Sequence, residues 1–67
     1  MGASGWVYIE VDEIKRETEK AFLVIVDEQE VWLPKSQVED EGEHFKQGDT
    51  DVEIGITEWI AREKGLG

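Results

Sequence analysis

Two segments of the chain place an apolar residue at every second position, and this alternation constrains the fold more than any other feature. The segments are Trp6–Val11 and Val52–Ile56. Because successive side chains of a strand point to opposite faces of a sheet, each segment is predicted to be a half-buried strand. The next apolar residue after Val11 is Ile14, which breaks the alternation. If Ile14 also points inward, a bulge or bend is expected near Asp12–Glu13, and such bends curl small sheets.

Two further strands are predicted in the middle of the chain. Lys15–Glu19 is charged and is expected to reverse the chain, whereas Lys20–Val26 is β-branched and aromatic on both faces, which is typical of a central strand. Asp27–Glu30 is a polar connection of about four residues, so Val31–Leu33 is predicted to complete a hairpin. Pro34 is expected to end the strand, because proline has no backbone N–H to donate.

The C-terminal residues carry the signals of a short helix. Thr57 is a good N-cap, Gly65 is a suitable stop, and the residues between them predict a helix over Glu58–Lys64. Trp59 and Ile60 are expected to anchor this helix to the sheet.

The predicted elements together define a mostly β (α+β) domain. Lys35–Val38 is expected to form one helical turn, and Glu39–Asp49 a surface loop held by Phe45. We expect a small, strongly curved antiparallel sheet, or an SH3-like or OB-like partial barrel, of about four to five strands with a short C-terminal helix. Residues 6–67 would form this single domain, after a flexible N-terminal segment over residues 1–5.

Size and charge limit the possible environments and ligands. The chain has 67 residues, no cysteine and a net charge of −10. The absence of cysteine favours a reducing, cytoplasmic location, and the longest apolar run, Ala21–Val26, is too short to span a membrane. The surplus of acid repels phosphate backbones and anionic lipids, so nucleic-acid binding is disfavoured and membrane binding is not expected.

The most distinctive segment is Val31–Val38, in which a tryptophan and several polar residues flank a rigid proline. Tryptophan is enriched at the energetic centres of protein interfaces. We therefore predict a binding surface formed by Tyr8, Trp32, Lys35, Ser36, Gln37 and Trp59. The alternative is that Trp32 packs under the terminal helix, while Ser36 and Gln37 only satisfy backbone groups of a turn.

Catalytic and metal-binding patterns are weak in this sequence. Ser36 has only His44 as a conceivable general base, and the glycines do not fit a phosphate-binding loop. The acidic residues around His44, from Glu39 to Asp49, match no EF-hand spacing, and a solvated acidic loop is the favoured interpretation. We expect no enzymatic activity, no cofactor and no metal site.

Two other binding modes remain open. Trp6, Tyr8 and Trp32 with Lys15, Lys20 and Lys35 would suit a stacking platform for single-stranded nucleic acid, although the net charge opposes it. Alternatively, a dense acidic surface would mimic DNA and inhibit a nucleic-acid-binding protein, although surplus acid also serves solubility. The carboxylates considered for mimicry are Glu10, Asp12, Glu28, Glu30, Glu39, Asp40, Glu41, Asp49, Asp51 and Glu53.

Three segments resemble small, functionally unassigned proteins encoded by phages and other mobile elements. They are Lys20–Val24, Val31–Val38 with its Trp-Leu-Pro-Lys-Ser-Gln core, and Ile56–Leu66 with a tryptophan-containing helix before Lys-Gly-Leu, about half of the chain in all. The resemblance implies a mobile-element context and carries no chemistry or partner. The sequence therefore predicts a non-enzymatic binding or adaptor module that binds a protein or associates with itself.

Overall fold

Four antiparallel strands form one open sheet, and a short helix follows the last strand. The computed structural model describes residues 5–66, so all but Gly5 of the predicted flexible segment 1–5, and also Gly67, lie outside the described residues. The sheet order is β3-β2-β1-β4. The elements are β1 (Trp6–Glu17), β2 (Ala21–Val26), β3 (Gln29–Pro34), β4 (Thr50–Thr57) and α1 (Glu58–Lys64), with 3-10 turns at Lys35–Gln37 and Glu39–Gly42. The mostly β class with a C-terminal helix is confirmed.

The long first strand pairs with different neighbours along its length. Residues 6–13 of β1 pair with β4, and residues 13–17 pair with β2. The pairing with β4 omits Asp12 and Asp51, Asp51 has a φ of 51°, and Ile14 is fully buried. The change of face therefore lies where the alternation predicts it. A second irregularity, between Ile14 and Arg16 in the pairing with β2, was not predicted.

The connections between β1 and β2 and between β2 and β3 are both shorter than the sequence predicts. β1 continues through Lys15–Glu17, so the prediction that these residues reverse the chain is wrong, and the turn is confined to residues 18–20. The Thr18 hydroxyl closes that turn by accepting hydrogen bonds from the N–H groups of Lys20 (3.3 Å) and Ala21 (3.0 Å). This local hydrogen bonding replaces strand pairing at the turn, which frees the charged residues before it to stay extended.

The connection between β2 and β3 is a two-residue turn and not a loop of four. Asp27 and Glu28 have φ values of 51° and 68°, the left-handed conformation of a type I′ turn. Such turns match the right-handed twist of a hairpin, which compensates for the strain of placing a glutamate there. Glu30 therefore belongs to β3. The prediction that β2 is a central strand is confirmed, because β2 lies between β3 and β1.

One face of the sheet, together with α1 and the residues after β3, encloses the core. Its buried members are Ile9, Val11, Ile14, Phe22, Val24, Leu33, Val38, Ile54, Ile56, Ile60 and Ala61. Phe45 packs against this cluster from the long loop, as predicted. A single bridge between Val38 and Ile56 joins the chain after β3 to β4.

Helix α1 begins and ends at the predicted residues, but one of its predicted anchors is wrong. The Thr57 hydroxyl accepts a hydrogen bond from the Ile60 N–H at 3.2 Å, and Gly65 ends the helix with a φ of 70°. Ile60 and Ala61 face the core, whereas Trp59 is 62% exposed. Residues 59 and 61 lie about 200° apart around a helix, so a helix that buries Ala61 turns Trp59 outward. Within residues 5–66, no helix is long and apolar enough to cross a membrane.

Candidate binding surfaces on the outer face of the sheet

Every second residue of the paired segments 6–11 of β1 and 52–57 of β4 points away from the core, and three cross-strand pairs follow one another on that side. Trp6 lies opposite Thr57, Tyr8 opposite Gly55, and Glu10 opposite Glu53. Trp6 is 36% and Tyr8 53% exposed. We call this surface, made of Trp6, Tyr8, Glu10, Glu53, Gly55 and Thr57, the β1–β4 outer face. It presents two aromatic rings in line with two carboxylates.

The Tyr8 ring is fixed in place by a glycine and a carboxylate. A β-carbon at Gly55 would lie 2.8 Å from Tyr8 Cε1 and 2.8 Å from Glu39 Oε1, so both side chains occupy the space above the glycine. The Tyr8 hydroxyl donates a hydrogen bond to Glu39 Oε2 at 3.0 Å. This hydrogen bond to a carboxylate is the main reason that the pKa of Tyr8 is raised above its ordinary value of 10.0. Tyr8 is therefore an exposed aromatic residue held in one orientation.

The carboxylates of this face stand together without a cation. Glu10 and Glu53 are direct cross-strand partners, and with Asp12 and Asp51 they line one surface groove. The four ion pairs found within residues 5–66 include none of these side chains. Like charges placed directly opposite one another destabilise a sheet. In the same residues, no group of three His, Asp or Glu side chains is arranged to hold a metal ion.

Trp32 lies on the outer side of the other half of the sheet. Leu23 pairs with Arg16 on one side and Trp32 on the other, so these three residues form a row across β1, β2 and β3. Trp32 is 45% exposed, and the alternative that it packs under the terminal helix is wrong. Leu23 is only 7% exposed but is not a member of the core cluster. The row thus has one exposed apolar side chain, Trp32, beside a buried leucine and a basic residue.

The segment after Pro34 mainly holds the fold together. Lys35 Nζ lies 2.8 Å from Glu17 Oε2 and 4.9 Å from the centroid of the Phe22 ring. The hydrogen bond from Lys35 lowers the pKa of Glu17. Gln37 Oε1 accepts a hydrogen bond from the Thr57 hydroxyl at 2.7 Å, which links the 3-10 turn to the start of α1.

The six predicted binding residues therefore do not form one surface. Tyr8 and Trp32 lie on different halves of the sheet, Trp59 lies on α1, and Lys35 and Gln37 make internal contacts, while Ser36 is exposed. His44 lies 3.8 Å from Asp40, and within residues 5–66 no hydrogen bond joins it to Ser36. The sequence did not predict that Tyr8, Gly55 and Glu39 come into contact. A glycine inside an alternating strand was the available signal, since it often marks close approach of another group.

The three aromatic residues of the stacking hypothesis share the outer side of the sheet but not one platform. Trp32 lies in the row of Arg16, which is eight residues along β1 from Tyr8. At about 3.3 Å per residue, that spacing is roughly 26 Å, far beyond the stacking distance of successive bases. The side chains around Tyr8 are acidic and not basic.

A scan of protein-family models and searches of characterised proteins and of solved structures find no match to this chain.

Proposed function

We propose that this protein is a non-enzymatic protein-binding module whose β1–β4 outer face docks onto a basic surface of another protein. One observation carries the proposal: two exposed aromatic rings, Trp6 and Tyr8, lie in line with the like-charged pair Glu10 and Glu53. This face combines apolar contact area with negative charge. Its complement is a surface with an apolar patch and adjacent lysine or arginine side chains.

The aromatic half of the face would supply affinity. Tyrosine and tryptophan bring a large contact area with few rotatable bonds, and they are enriched at the residues that dominate binding energy. Tyr8 loses little side-chain freedom on binding, because the contacts with Gly55 and Glu39 already fix its ring. Trp6 lies opposite Thr57, so the aromatic half of the face ends where β4 passes into α1.

The carboxylate half would supply orientation and association rate. A lysine or arginine of the partner placed between Glu10 and Glu53 would relieve their mutual repulsion, so binding would recover a cost that folding imposes. The net charge of −10 would also attract a basic partner at long range and speed the encounter. This attraction must weaken as salt is added.

The other hypotheses receive less support from the arrangement of residues. A single-strand stacking platform requires cations beside the rings, and the rings of β1 have carboxylates beside them. DNA mimicry is a special case of binding a basic protein, but two of its candidate carboxylates, Glu28 and Glu30, lie in the β2–β3 hairpin, away from the β1–β4 outer face.

We further propose a partial-barrel fold, a phage or mobile-element origin and a cytoplasmic location. The bridge between Val38 and Ile56 supports an SH3-like or OB-like partial barrel, because it joins the chain after β3 to the opposite edge strand. The resemblance of the Trp-Leu-Pro-Lys-Ser-Gln segment supports a phage or mobile-element origin, and the absence of cysteine favours a cytoplasmic location.

Titration with a synthetic peptide of alternating lysine and leucine tests the proposal, with a glutamate and leucine peptide as the charge control. We expect amide and indole resonances of the β1–β4 outer face to shift with the basic peptide only. Glu53→Lys should weaken binding about tenfold, roughly 1.4 kcal/mol, whereas Glu63→Lys on α1 should change it much less. Equal weakening by the two charge reversals would show that net charge, and not this face, attracts the peptide.

A further inference from the structure

Strand β3 forms one edge of the sheet, and its outward backbone groups have no partner within residues 5–66. The N–H of Lys35 donates to the carbonyl of Lys20 at 2.7 Å, which fixes the alternation of hydrogen-bonded pairs along the hairpin. Gln29, Val31 and Leu33 therefore bond to β2, whereas Glu30, Trp32 and Pro34 direct their backbone groups to the open edge. Since proline has no N–H, the edge offers two donors, from Glu30 and Trp32.

The surface beside this edge carries little of the negative charge of the molecule. Residues 15–35 contain four basic and five acidic side chains, a net charge of −1, so the remaining residues carry −9 of the total of −10. Glu30 is held by Lys15 in an ion pair that lowers the Glu30 pKa. Two copies of this chain, each with a net charge of −10, repel one another, and the low net charge beside β3 keeps that repulsion weak at this edge.

The same edge is flanked by apolar side chains on the outer side of the sheet. Trp32 is 45% exposed, and Leu23, Ile25 and Pro34 lie next to it on β2 and β3. Open edges with exposed apolar residues are templates for pairing with another strand. The structure thus combines unpaired donors, apolar area and low charge at one place.

We propose that the occupant of this edge is a second copy of the chain, which pairs β3 with β3′ in antiparallel orientation about a two-fold axis at Val31. In this register Glu30 lies opposite Trp32 of the other copy, so each residue donates one hydrogen bond and accepts one. Four hydrogen bonds form, no like charges lie directly opposite one another, and Pro34 falls outside the bonded region. The product is a continuous eight-stranded sheet with closed symmetry.

This interface does not use the β1–β4 outer face, so dimerisation and partner binding are separate properties. The dimer would present two copies of that face and bind a multivalent basic partner with higher avidity. The two interactions also respond oppositely to salt. Screening reduces the repulsion between two acidic copies and strengthens the dimer, but it weakens attraction to a basic partner.

Sedimentation equilibrium of the purified chain over a range of concentrations and salt tests the proposal. We expect a mass twice that of the 7.7 kDa chain, with dissociation at low concentration and tighter association at high salt. Glu30→Pro removes an edge-facing N–H without removing a bond to β2, so this variant should stay folded and become monomeric. Glu30→Gln loses the same ion pair with Lys15 but keeps the N–H, and it should remain dimeric.

Three results would contradict the proposed pairing of β3 with β3′. The first is that the wild-type chain stays monomeric at every concentration and salt. The second is that a folded Glu30→Pro variant dimerises as tightly as Glu30→Gln, and the third is that high salt dissociates the dimer. If Glu30→Pro does not fold, Trp32→Thr replaces it, because threonine retains strand propensity while removing the aromatic contact. A tenfold or greater loss of dimer affinity is expected for that variant, and an unchanged affinity would contradict the proposal.

Discussion

The ring of Tyr8 occupies the space that a side chain at Gly55 would fill on the neighbouring strand, and its hydroxyl reaches the carboxylate of Glu39, 31 residues away in sequence. The glycine makes room for the ring, and the carboxylate fixes the direction of the hydroxyl. Tyr8 therefore keeps one side-chain orientation although it lies on the exposed β1–β4 outer face. This relationship is the structural basis of the proposed binding face.

Glu39→Gln should lower the pKa of Tyr8 toward its ordinary value of 10.0, because the hydrogen bond to the carboxylate is the largest cause of the rise. Tyr8 is the only tyrosine, so ultraviolet absorbance of the tyrosinate during an alkaline titration reports this group alone. Glu43→Gln in the same loop is the control and should leave the titration unchanged. The idea fails if both variants titrate like the wild type.

The raised pKa of Tyr8 also has a consequence for stability. The unfolded chain ionises its tyrosine first as pH rises, so the stabilisation is complete below pH 10.0 and is lost as pH passes through the folded pKa. Glu39→Gln should reduce this alkaline loss in urea unfolding experiments. A loss of the same size in wild type and variant would assign the alkaline sensitivity to other groups.

Gly42→Ala should destabilise the protein far more than Gly48→Ala. Both glycines have positive φ values, of 72° and 98°, so both substitutions strain the backbone by about 1–2 kcal/mol. Only at Gly42 would the new β-carbon clash with a neighbour, the buried ring of Phe22, which adds about 1–3 kcal/mol of overpacking. Urea unfolding checks the difference, and equal losses at the two positions would be inconsistent with this packing.

Thr57→Ala should cost about 1–3 kcal/mol, because it removes both the N-cap acceptor for Ile60 and the donor to Gln37. For a domain of this size, each 1 kcal/mol lowers Tm by roughly 4–8 °C, which calorimetry resolves. Thr57→Ser keeps the hydroxyl and should retain most of the stability. A serine variant as unstable as the alanine variant would mean that the methyl group, and not the hydroxyl, is what matters.

Lys35→Met should make the free energy of unfolding depend less on pH in the acid range. Lys35 lowers the pKa of Glu17 from 4.5, so the unfolded chain takes up this proton first as pH falls. The contribution is present above pH 4.5 and is lost as pH falls through the folded pKa of Glu17. Lys20→Met, at an exposed lysine near the same turn, is the control. If the free energy of unfolding falls equally with acid in wild type and Lys35→Met, the ion pair does not contribute to acid stability.

The sequence predicted the elements whose signals are local. Alternation of apolar residues identified the inward positions of β1 and β4, and the break at Ile14 located the bend, because both follow from burial of one sheet face. Thr57 and Gly65 identified the bounds of α1 through capping chemistry. These features depend on a few neighbouring residues and need no knowledge of strand pairing.

The errors concern residues whose environment is set by distant parts of the chain. Lys15–Glu17 remain in a strand because β2 and the loop residue Gln47 hold their backbone, although their charge suggested a turn. Trp59 was expected to anchor α1 to the sheet, but the rotation of α1 that buries Ala61 turns Trp59 outward. Tyr8 and Trp32 were grouped by residue type, and only the pairing order shows that they lie on separate surfaces.

The central claim is that a partner binds at the β1–β4 outer face, and carbodiimide cross-linking in the native host tests it most directly. This reagent joins a carboxylate to an amine in contact with it, so mass spectrometry locates both residues. We predict cross-links from Glu10 or Glu53 to lysines of one protein, with a strong loss of these cross-links in Tyr8→Ala and no loss in Glu63→Gln. Cross-links to a partner only from carboxylates outside this face, such as Glu28 or Glu63, would contradict the account.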